Sequence, residues 1–183
     1  AFVDGELVSG MTAMKAAGLD RIVLAPKEGL ALTNGTSFST AQSALALADA
    51  ENLLETAMVT AAMSIEALTG FGDAFLPQIH EARGHAGQIA VAARIRELLT
   101  GSELIDGDMD TDPVRQPPQD AYSLRCTPQV LGPVKDTLKF VRGIVETEIN
   151  AATDNPLVFT DLPESRTLKA ISGGNFHAEY LAF

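Results

Sequence analysis

The feature that most constrains the fold is a stretch from Phe38 to Thr69 that contains neither proline nor glycine. Such a stretch predicts one helix of about 32 residues, roughly 48 Å long at 1.5 Å per residue. Ser39 is predicted to cap its start and Gly70 to follow its end. A helix of this length exceeds an ordinary globular helix and favours a bundle of long helices. The sequence therefore predicts a mostly α fold, with alanines on the long helix that allow close helix packing.

Shorter patterns predict the remaining elements. A helix is predicted over 11–17, with Gly18 as its left-handed cap, and another over 87–100, before Gly101. A further helix is predicted to begin with Thr127 as its N-cap, followed by Pro128. Strands are predicted over 157–159 and near Ile171. Residues 21–35 are predicted to be irregular because Pro26 and Gly29 interrupt them. Residues 102–120 are acidic and contain proline, which predicts a surface loop. We expect residues 1–183 to form one partial domain.

Composition and charge exclude several classes of protein. The net charge is −11, with 24 acidic against 13 basic residues, which argues against binding to nucleic acid or to an anionic membrane. No apolar run approaches the roughly 18 residues of a membrane span. A single cysteine is typical of a reducing compartment, so cytoplasmic localisation is expected. The chain starts without methionine and stops within the helical pattern near Phe183, so we expect it to be part of a longer protein, truncated at both ends.

Two histidines raise the question of a metal site. His80 and His85 lie five residues apart in "HEARGH", about 140° around a helix, whereas zinc-binding helices place two histidines four residues apart. No third ligand is evident nearby. We therefore predict no metal and expect a solvated or loop-packed pair of histidines.

A polar cluster interrupts the helical pattern at "RQPPQDAYSLRCTPQVLG", residues 115–132. Gln119, Tyr122 and Arg125 are three residues apart, and in one helical turn they would project to the same side. The guanidinium of Arg125 suits a carboxylate in a bidentate contact. A phenol and an amide beside it suit an amino-acid-like ligand. The alternative is a structural ion pair between Arg125 and Asp120, and spacing alone leaves both open.

Two glycine-containing motifs are less specific. Asn34, in "NGT", precedes the long helix, where its amide suits either helix capping or a ligand. "SGGNFH", residues 172–177, lacks the pattern of a nucleotide-binding loop and reads as a turn, although adjacent glycines allow close backbone approach.

Four motifs together resemble the histidine and aromatic amino-acid ammonia-lyase family. They are "APKEGLALTNGTSFSTA", "QDAYSLRCTPQVLG", "EINAATDNPLVF" and "SGGNFHAE", which follow the family's order and spacing from Ala25 to Glu179. The last motif, through His177, Ala178 and Glu179, resembles the histidine branch. The resemblance implies a truncated long-helix bundle of the ammonia-lyase and fumarase type, assembled as a homotetramer with active sites built from several subunits.

The resemblance also implies a chemistry. The family removes ammonia and a weakly acidic β-proton from an amino acid, using a 4-methylideneimidazole-5-one electrophile made from its own Ala-Ser-Gly. By motif, Asn34 would contact the electrophile and substrate region, and Gln119 and Tyr122 would line it. Arg125 would hold the substrate carboxylate, and Phe176 would pack against the prosthetic group and substrate. For the histidine branch the product is trans-urocanate.

The chain departs from the family pattern in one respect that bears on activity. It contains no Ala-Ser-Gly, and the resemblance places that segment and the proton-abstracting tyrosine before Ala1. We therefore expect the chain alone to be inactive. Two alternatives stay open: a tyrosine or phenylalanine lyase or 2,3-aminomutase of the same superfamily, and a non-catalytic helical assembly domain.

Overall fold

The computed structural model describes residues 1–105, 119–167 and 169–182. It divides into two compact units, one formed by Ala1–Phe38 with Ala152–His177 and the other by Ser39–Ala151 with Ala178–Phe183. Most of the predicted acidic loop, residues 106–118, lies outside the described residues. Within the described ranges, no helix is both long enough and apolar enough to cross a bilayer.

The first unit is built from short elements. These are β1 (Phe2–Val3), β2 (Glu6–Leu7), α1 (Gly10–Ala16), α2 (Glu28–Ala31), β3 (Leu157–Val158) and β4 (Ala170–Ile171). β1 pairs with β2 and β3 with β4, both antiparallel. The predicted helix over 11–17 is confirmed within one residue, and Gly18 adopts the left-handed conformation expected of it, with φ 66°. The β3–β4 pair matches the two predicted strands, whereas the prediction of an irregular segment over 21–35 is wrong for Glu28–Ala31, which form α2.

The second unit consists of helices. They are α3 (Ser37–Ala67, whose first two residues lie in the first unit), a 3-10 turn (Gly72–Phe75), α4 (Pro77–Arg83), α5 (Ala86–Leu98), α6 (Tyr122–Arg125), α7 (Thr127–Ile149) and α8 (Glu179–Ala182). The long helix and the helices over 87–100 and from Thr127 are confirmed. Their core is apolar and consists of Leu54, Met58, Ile65, Phe75, Val91 and Ile95.

Two predicted caps are wrong. Ser39 lies inside α3, which begins at Ser37, and the hydroxyl of Ser37 donates to the carbonyl oxygen of Asn34. The N-cap of α7 is Cys126 and not Thr127, whose hydroxyl instead donates to the carbonyl oxygen of Leu124 at 2.7 Å. The predicted cap lies three residues past the observed position in α3 and one residue past it in α7, and helix ends are where predicted and observed bounds differ most.

α5 and α7 pack at very short range through glycine. A methyl group added at Gly132 of α7 would lie 2.6 Å from the backbone nitrogen of Gln88 in α5. A methyl group added at Gly87 of α5 would likewise clash with the backbone oxygen of Gly132. Glycine at this crossing lets the two backbones touch, and the helices thereby bury Val91 and Ile95 completely.

Candidate functional site

The sequence-predicted polar cluster forms a single helical turn, α6. The amides of Leu124 and Arg125 donate to the carbonyl oxygen of Ala121, and the amide of Cys126 donates to that of Tyr122. This turn places Arg125 directly over Tyr122, with the guanidinium carbon 4.2 Å from the ring centroid. Such a distance is typical of a cation–π contact. Tyr122 is 72% exposed, so its hydroxyl is open to solvent.

Asp120 holds this turn in place, but not through an ion pair. Nε of Arg125 donates to the backbone oxygen of Asp120 at 2.9 Å. The carboxylate of Asp120 instead accepts from the backbone amide of Phe71 at 2.6 Å. Of the two alternatives left open by the sequence, the ion pair between Arg125 and the carboxylate of Asp120 is therefore not formed. In the described part of the chain, the two terminal nitrogens of Arg125 make no hydrogen bond, so the fork that binds carboxylates is available.

A half-open groove lies beside Tyr122. It has a volume of about 590 Å³ and runs between α3 and the segment from α6 into α7. Its walls are small or apolar: Ala57, Thr60, Ala61 and Ser64 from α3, and Leu124, Thr127, Val130 and Leu131 from the other side. The hydroxyls of Thr60 and Ser64 donate to backbone oxygens of their own helix, so they add little polarity to the groove. The groove can receive a compact, largely apolar group.

Asn34 lies in the first unit, in the loop before α3. Its Nδ2 donates to Oδ1 of Asp154 at 2.8 Å, and the other carboxylate oxygen of Asp154 lies 2.5 Å from Nζ of Lys27. The side chain of Asn34 therefore does not cap α3, which was one of its two predicted roles. It is held by an acidic residue 120 positions away in the sequence.

Residues 152–155 connect the loop of Asn34 with the loop of Phe176. Thr153 accepts from the backbone amide of Thr36 at 3.2 Å. Asn155 exchanges two hydrogen bonds with the backbone of Gly173, at 2.9 and 3.0 Å. The side chain of Asn175 also reaches the carbonyl oxygen of Ala152. One short segment thus fixes both loops, and Phe176 is left 50% exposed on the second of them.

The charge of Asp154 is stabilised by its partners. Hydrogen bonds from Lys27, then from Asn34 and from the backbone of Asn155, lower the pKa of its carboxyl to about 2. At neutral pH Asp154 is therefore ionised and acts only as an acceptor.

Comparison with known proteins adds the decisive observation. The family model described as aromatic amino acid lyase matches residues 1–183. The chain belongs to the aromatic amino acid lyase family. A histidine ammonia-lyase of Paracidovorax citrulli (strain AAC00-1) is 50% identical over 99% of this chain and 34% of its own length. The chain spans about a third of the length of the curated relatives it matches.

Solved structures of the family have the same fold. The histidine ammonia-lyase of Trypanosoma cruzi is 44% identical with a TM-score of 0.73, over 94% of this chain and 30% of that one. A tyrosine aminomutase from Streptomyces globisporus is 36% identical with a TM-score of 0.81, over 98% of this chain and 36% of that one. The mostly helical fold of the chain is thus shared with both.

The five predicted site residues fall in two places. Tyr122 and Arg125 are in contact on α6, and Gln119 is exposed just before that turn. Asn34 and Phe176 belong to the first unit, on loops that both bond to residues 152–155. Nothing in the sequence indicated that Asp154 contacts Asn34 and Lys27, although Asp154 belongs to one of the four motifs of the resemblance.

The prediction of a solvated or loop-packed histidine is wrong for His80, which is completely buried on α4. Its Nε2 donates to the carbonyl oxygen of Ala74 at 3.1 Å, so Nδ1 accepts from Gln88 Nε2 at 3.0 Å. Burial lowers the pKa of His80, and the neutral ring satisfies both hydrogen bonds. Within the described residues, no group of three or more histidine, cysteine, aspartate or glutamate side chains is arranged to hold a metal ion.

Proposed function

We propose that this chain is the central segment of a histidine ammonia-lyase, which eliminates ammonia from L-histidine to give trans-urocanate. The observation that carries the proposal is Arg125, whose terminal nitrogens lack a bond within the described residues while its stem is fixed by Tyr122 and Asp120. A preoriented guanidinium fork suits the carboxylate of an amino acid. The names of several relatives between 44% and 50% identical support histidine as the substrate.

Each predicted site residue has a role in this proposal. Arg125 holds the substrate carboxylate, and the phenol of Tyr122 and the amide of Gln119 line the reacting region. The groove beside Tyr122 provides apolar surface next to the phenol. Asn34 and Phe176 contact the substrate and the prosthetic group, which would bring the two loops fixed by residues 152–155 to the same active site.

A 4-methylideneimidazole-5-one group belongs to this proposal and would derive from an Ala-Ser-Gly that this chain lacks. The residues present fit such a group, because Asn34 offers an amide in a fixed orientation and Phe176 offers a half-exposed ring for a flat partner. When bound, the group would supply the electrophile that the weakly acidic β-proton requires. Asn34 would orient what is bound beside it, and Phe176 would exclude water from that side.

Self-association as a homotetramer and cytoplasmic localisation are further parts of the proposal. On the side of α3 away from the core, Leu45, Leu53 and Met63 are 70%, 70% and 62% exposed. Apolar surface of this extent on one helix is typical of an interface. A second copy of the chain would bury it in a bundle of long helices.

A second candidate is an aminomutase or lyase for tyrosine or phenylalanine. It is favoured by the TM-score of 0.81 to the tyrosine aminomutase of Streptomyces globisporus, which exceeds the value for the Trypanosoma cruzi enzyme. The motif with His177, Ala178 and Glu179 favours histidine instead. A third possibility, a non-catalytic helical assembly domain, would leave the Arg125 fork without a ligand.

Substrate specificity tests the proposal directly. Purified full-length enzyme is incubated with L-histidine, L-tyrosine and L-phenylalanine, and the products are followed by ultraviolet absorbance. We expect urocanate from histidine and little or no turnover of the other two. Preference for tyrosine would move the assignment to the second candidate, and no turnover of any would favour the assembly domain. The isolated 183-residue chain is the control, and we expect it to be inactive with histidine.

A further inference from the structure

The side chain of Asn34 has only one orientation compatible with its partner. Its Nδ2 donates to Oδ1 of Asp154 at 2.8 Å, and an ionised carboxylate can only accept. Turning the amide by 180° would place two oxygens against each other. Across residues 1–105, 119–167 and 169–182, the amide oxygen of Asn34 makes no hydrogen bond. It is therefore available as an acceptor in a fixed direction.

Asp154 is itself well fixed. Its side chain is 13% exposed, and its second oxygen lies 2.5 Å from Nζ of Lys27. Both carboxylate oxygens are thus occupied by donors, one from Lys27 just before α2 and one from Asn34 just after it. This leaves Asp154 little freedom to release Asn34.

The backbone next to Asn34 contacts Thr153, the residue that precedes Asp154. Gly35 has φ 67°, and a side chain there would come within 2.5 Å of the carbonyl oxygen of Thr153. The hydroxyl of Thr153 also accepts from the amide of Thr36. Residues 153 and 154 therefore fix the main chain and the side chain of Asn34 together.

We propose that Asp154 is a positioning residue for Asn34 and turns its amide oxygen toward the primary ammonium group of the bound amino acid. The inference rests on the function proposed above. An ammonium group has three N–H donors and matches a fixed acceptor. A ligand with the same ring and carboxylate but no amino group would leave that oxygen unpaired, so Asp154 contributes to selection for amino acids.

The test compares two ligands in the full-length enzyme. Affinity for L-histidine is measured as its KM. Affinity for 3-(imidazol-4-yl)propionate, which lacks the amino group, is measured as its inhibition constant. Asp154→Ala is expected to raise the KM for histidine about tenfold and to change the inhibition constant less than about twofold. Asp154→Asn keeps a neutral acceptor and is expected to restore most of the histidine affinity.

Two further variants separate positioning from general stability. Lys27→Met removes the other partner of Asp154 and is expected to lower Tm while keeping both ligand constants within about twofold of wild type. Asn34→Ala is expected to reproduce the selective loss for histidine, and it serves where Asp154→Ala does not fold. In the double variant the two losses are expected not to add, because Asp154 acts only through Asn34.

The outcomes distinguish the two levels of the proposal. Equal losses for both ligands, or additive losses in the double variant, would overturn the positioning role while wild-type turnover of histidine still supports the lyase. If the wild-type enzyme does not convert histidine, the proposed function and the positioning role fall together.

Discussion

At the scale of single residues, Arg125 gives the most direct test of the proposed carboxylate contact. Arg125→Lys keeps the charge but loses the two-pronged fork, the contact with the Tyr122 ring and the Nε bond to Asp120. We expect binding of histidine to weaken by about 1–3 kcal/mol, seen as a higher KM in steady-state kinetics.

The matched control for Arg125 is Arg94→Lys. Arg94 lies on α5 and pairs with Glu55 and Glu97, on which the proposed substrate contact does not depend. We expect its KM to remain at the wild-type value. A KM that stays unchanged in Arg125→Lys would contradict the carboxylate contact.

His80 makes folding stability depend on pH. Its pKa in the folded protein lies below the ordinary value of 6.5 because burial disfavours the charged ring; the hydrogen bond to Ala74 opposes this shift, and the positive charge of Arg96 adds to it. Below pH 6.5 the unfolded chain binds a proton that the folded protein does not. The free energy of unfolding is therefore expected to fall as the pH decreases through 6.5 toward the lowered pKa.

His80→Gln isolates this contribution, because a glutamine can still donate to Ala74 but does not titrate in this range. Urea unfolding is measured at several pH values between about 7.5 and 5 for both proteins. The wild-type advantage over His80→Gln is expected to shrink as the pH falls. An advantage that stays constant with pH would show that His80 does not titrate differently on folding.

What could be predicted about the site depended on sequence distance. Tyr122 and Arg125 were expected on one side because three residues span almost one helical turn, and the structure confirms their contact. The bond between Asn34 and Asp154 joins residues 120 positions apart. No local pattern encodes such a contact, since it depends on how two distant loops pack.

At the scale of elements, the crossing of α5 and α7 depends on glycine. A methyl group at position 132 would lie 2.6 Å from the nitrogen and 2.7 Å from the Cα of Gln88, and a helix backbone cannot move aside as a side chain can. Gly132→Ala is therefore expected to destabilise the protein by about 1–3 kcal/mol.

Gly143 provides the control on the same helix. Nothing lies within 4 Å of a methyl group built there. Gly143→Ala is expected to stabilise the protein by about 1 kcal/mol, since alanine has the higher helix propensity. Urea unfolding of both variants checks the pair. Equal effects at the two positions would mean that the crossing is looser than the structure shows.

The long elements were predictable and the short ones were not. α3 follows from a stretch without proline or glycine, where no residue interrupts the backbone hydrogen bonds. α4 was missed, although Pro77 begins it and Gly84 ends it with φ 83°. Its seven residues are too few to show apolar periodicity. His80 at its centre was considered as a metal ligand and not as a buried residue of a helix.

At the scale of the whole molecule, α3 exposes three large apolar side chains on the side opposite its buried face. With about 100° per residue, Leu45, Leu53 and Met63 fall within about 80° of one another. The centre of the buried face lies about 180° away; that face consists of Leu47, Leu54, Met58, Ala62 and Ile65. The exposed side is mixed, since Asp49, Asn52, Thr56 and Thr60 lie on the same arc, and its three large apolar side chains are the groups on it that a packing partner would bury.

The exposed face of α3 predicts how the protein assembles. Leu53→Asp replaces an exposed leucine, one turn after Asp49, with a second carboxylate on that side, where burial against another copy would remove it from water at a cost of several kcal/mol. We expect the full-length enzyme to lose its native oligomeric state, measured as mass by light scattering after size-exclusion chromatography. Met11→Asp is the control, because it removes a side chain that is also exposed, by 53%, from a different helix. An unchanged mass for Leu53→Asp would mean that a face other than this one holds the subunits together.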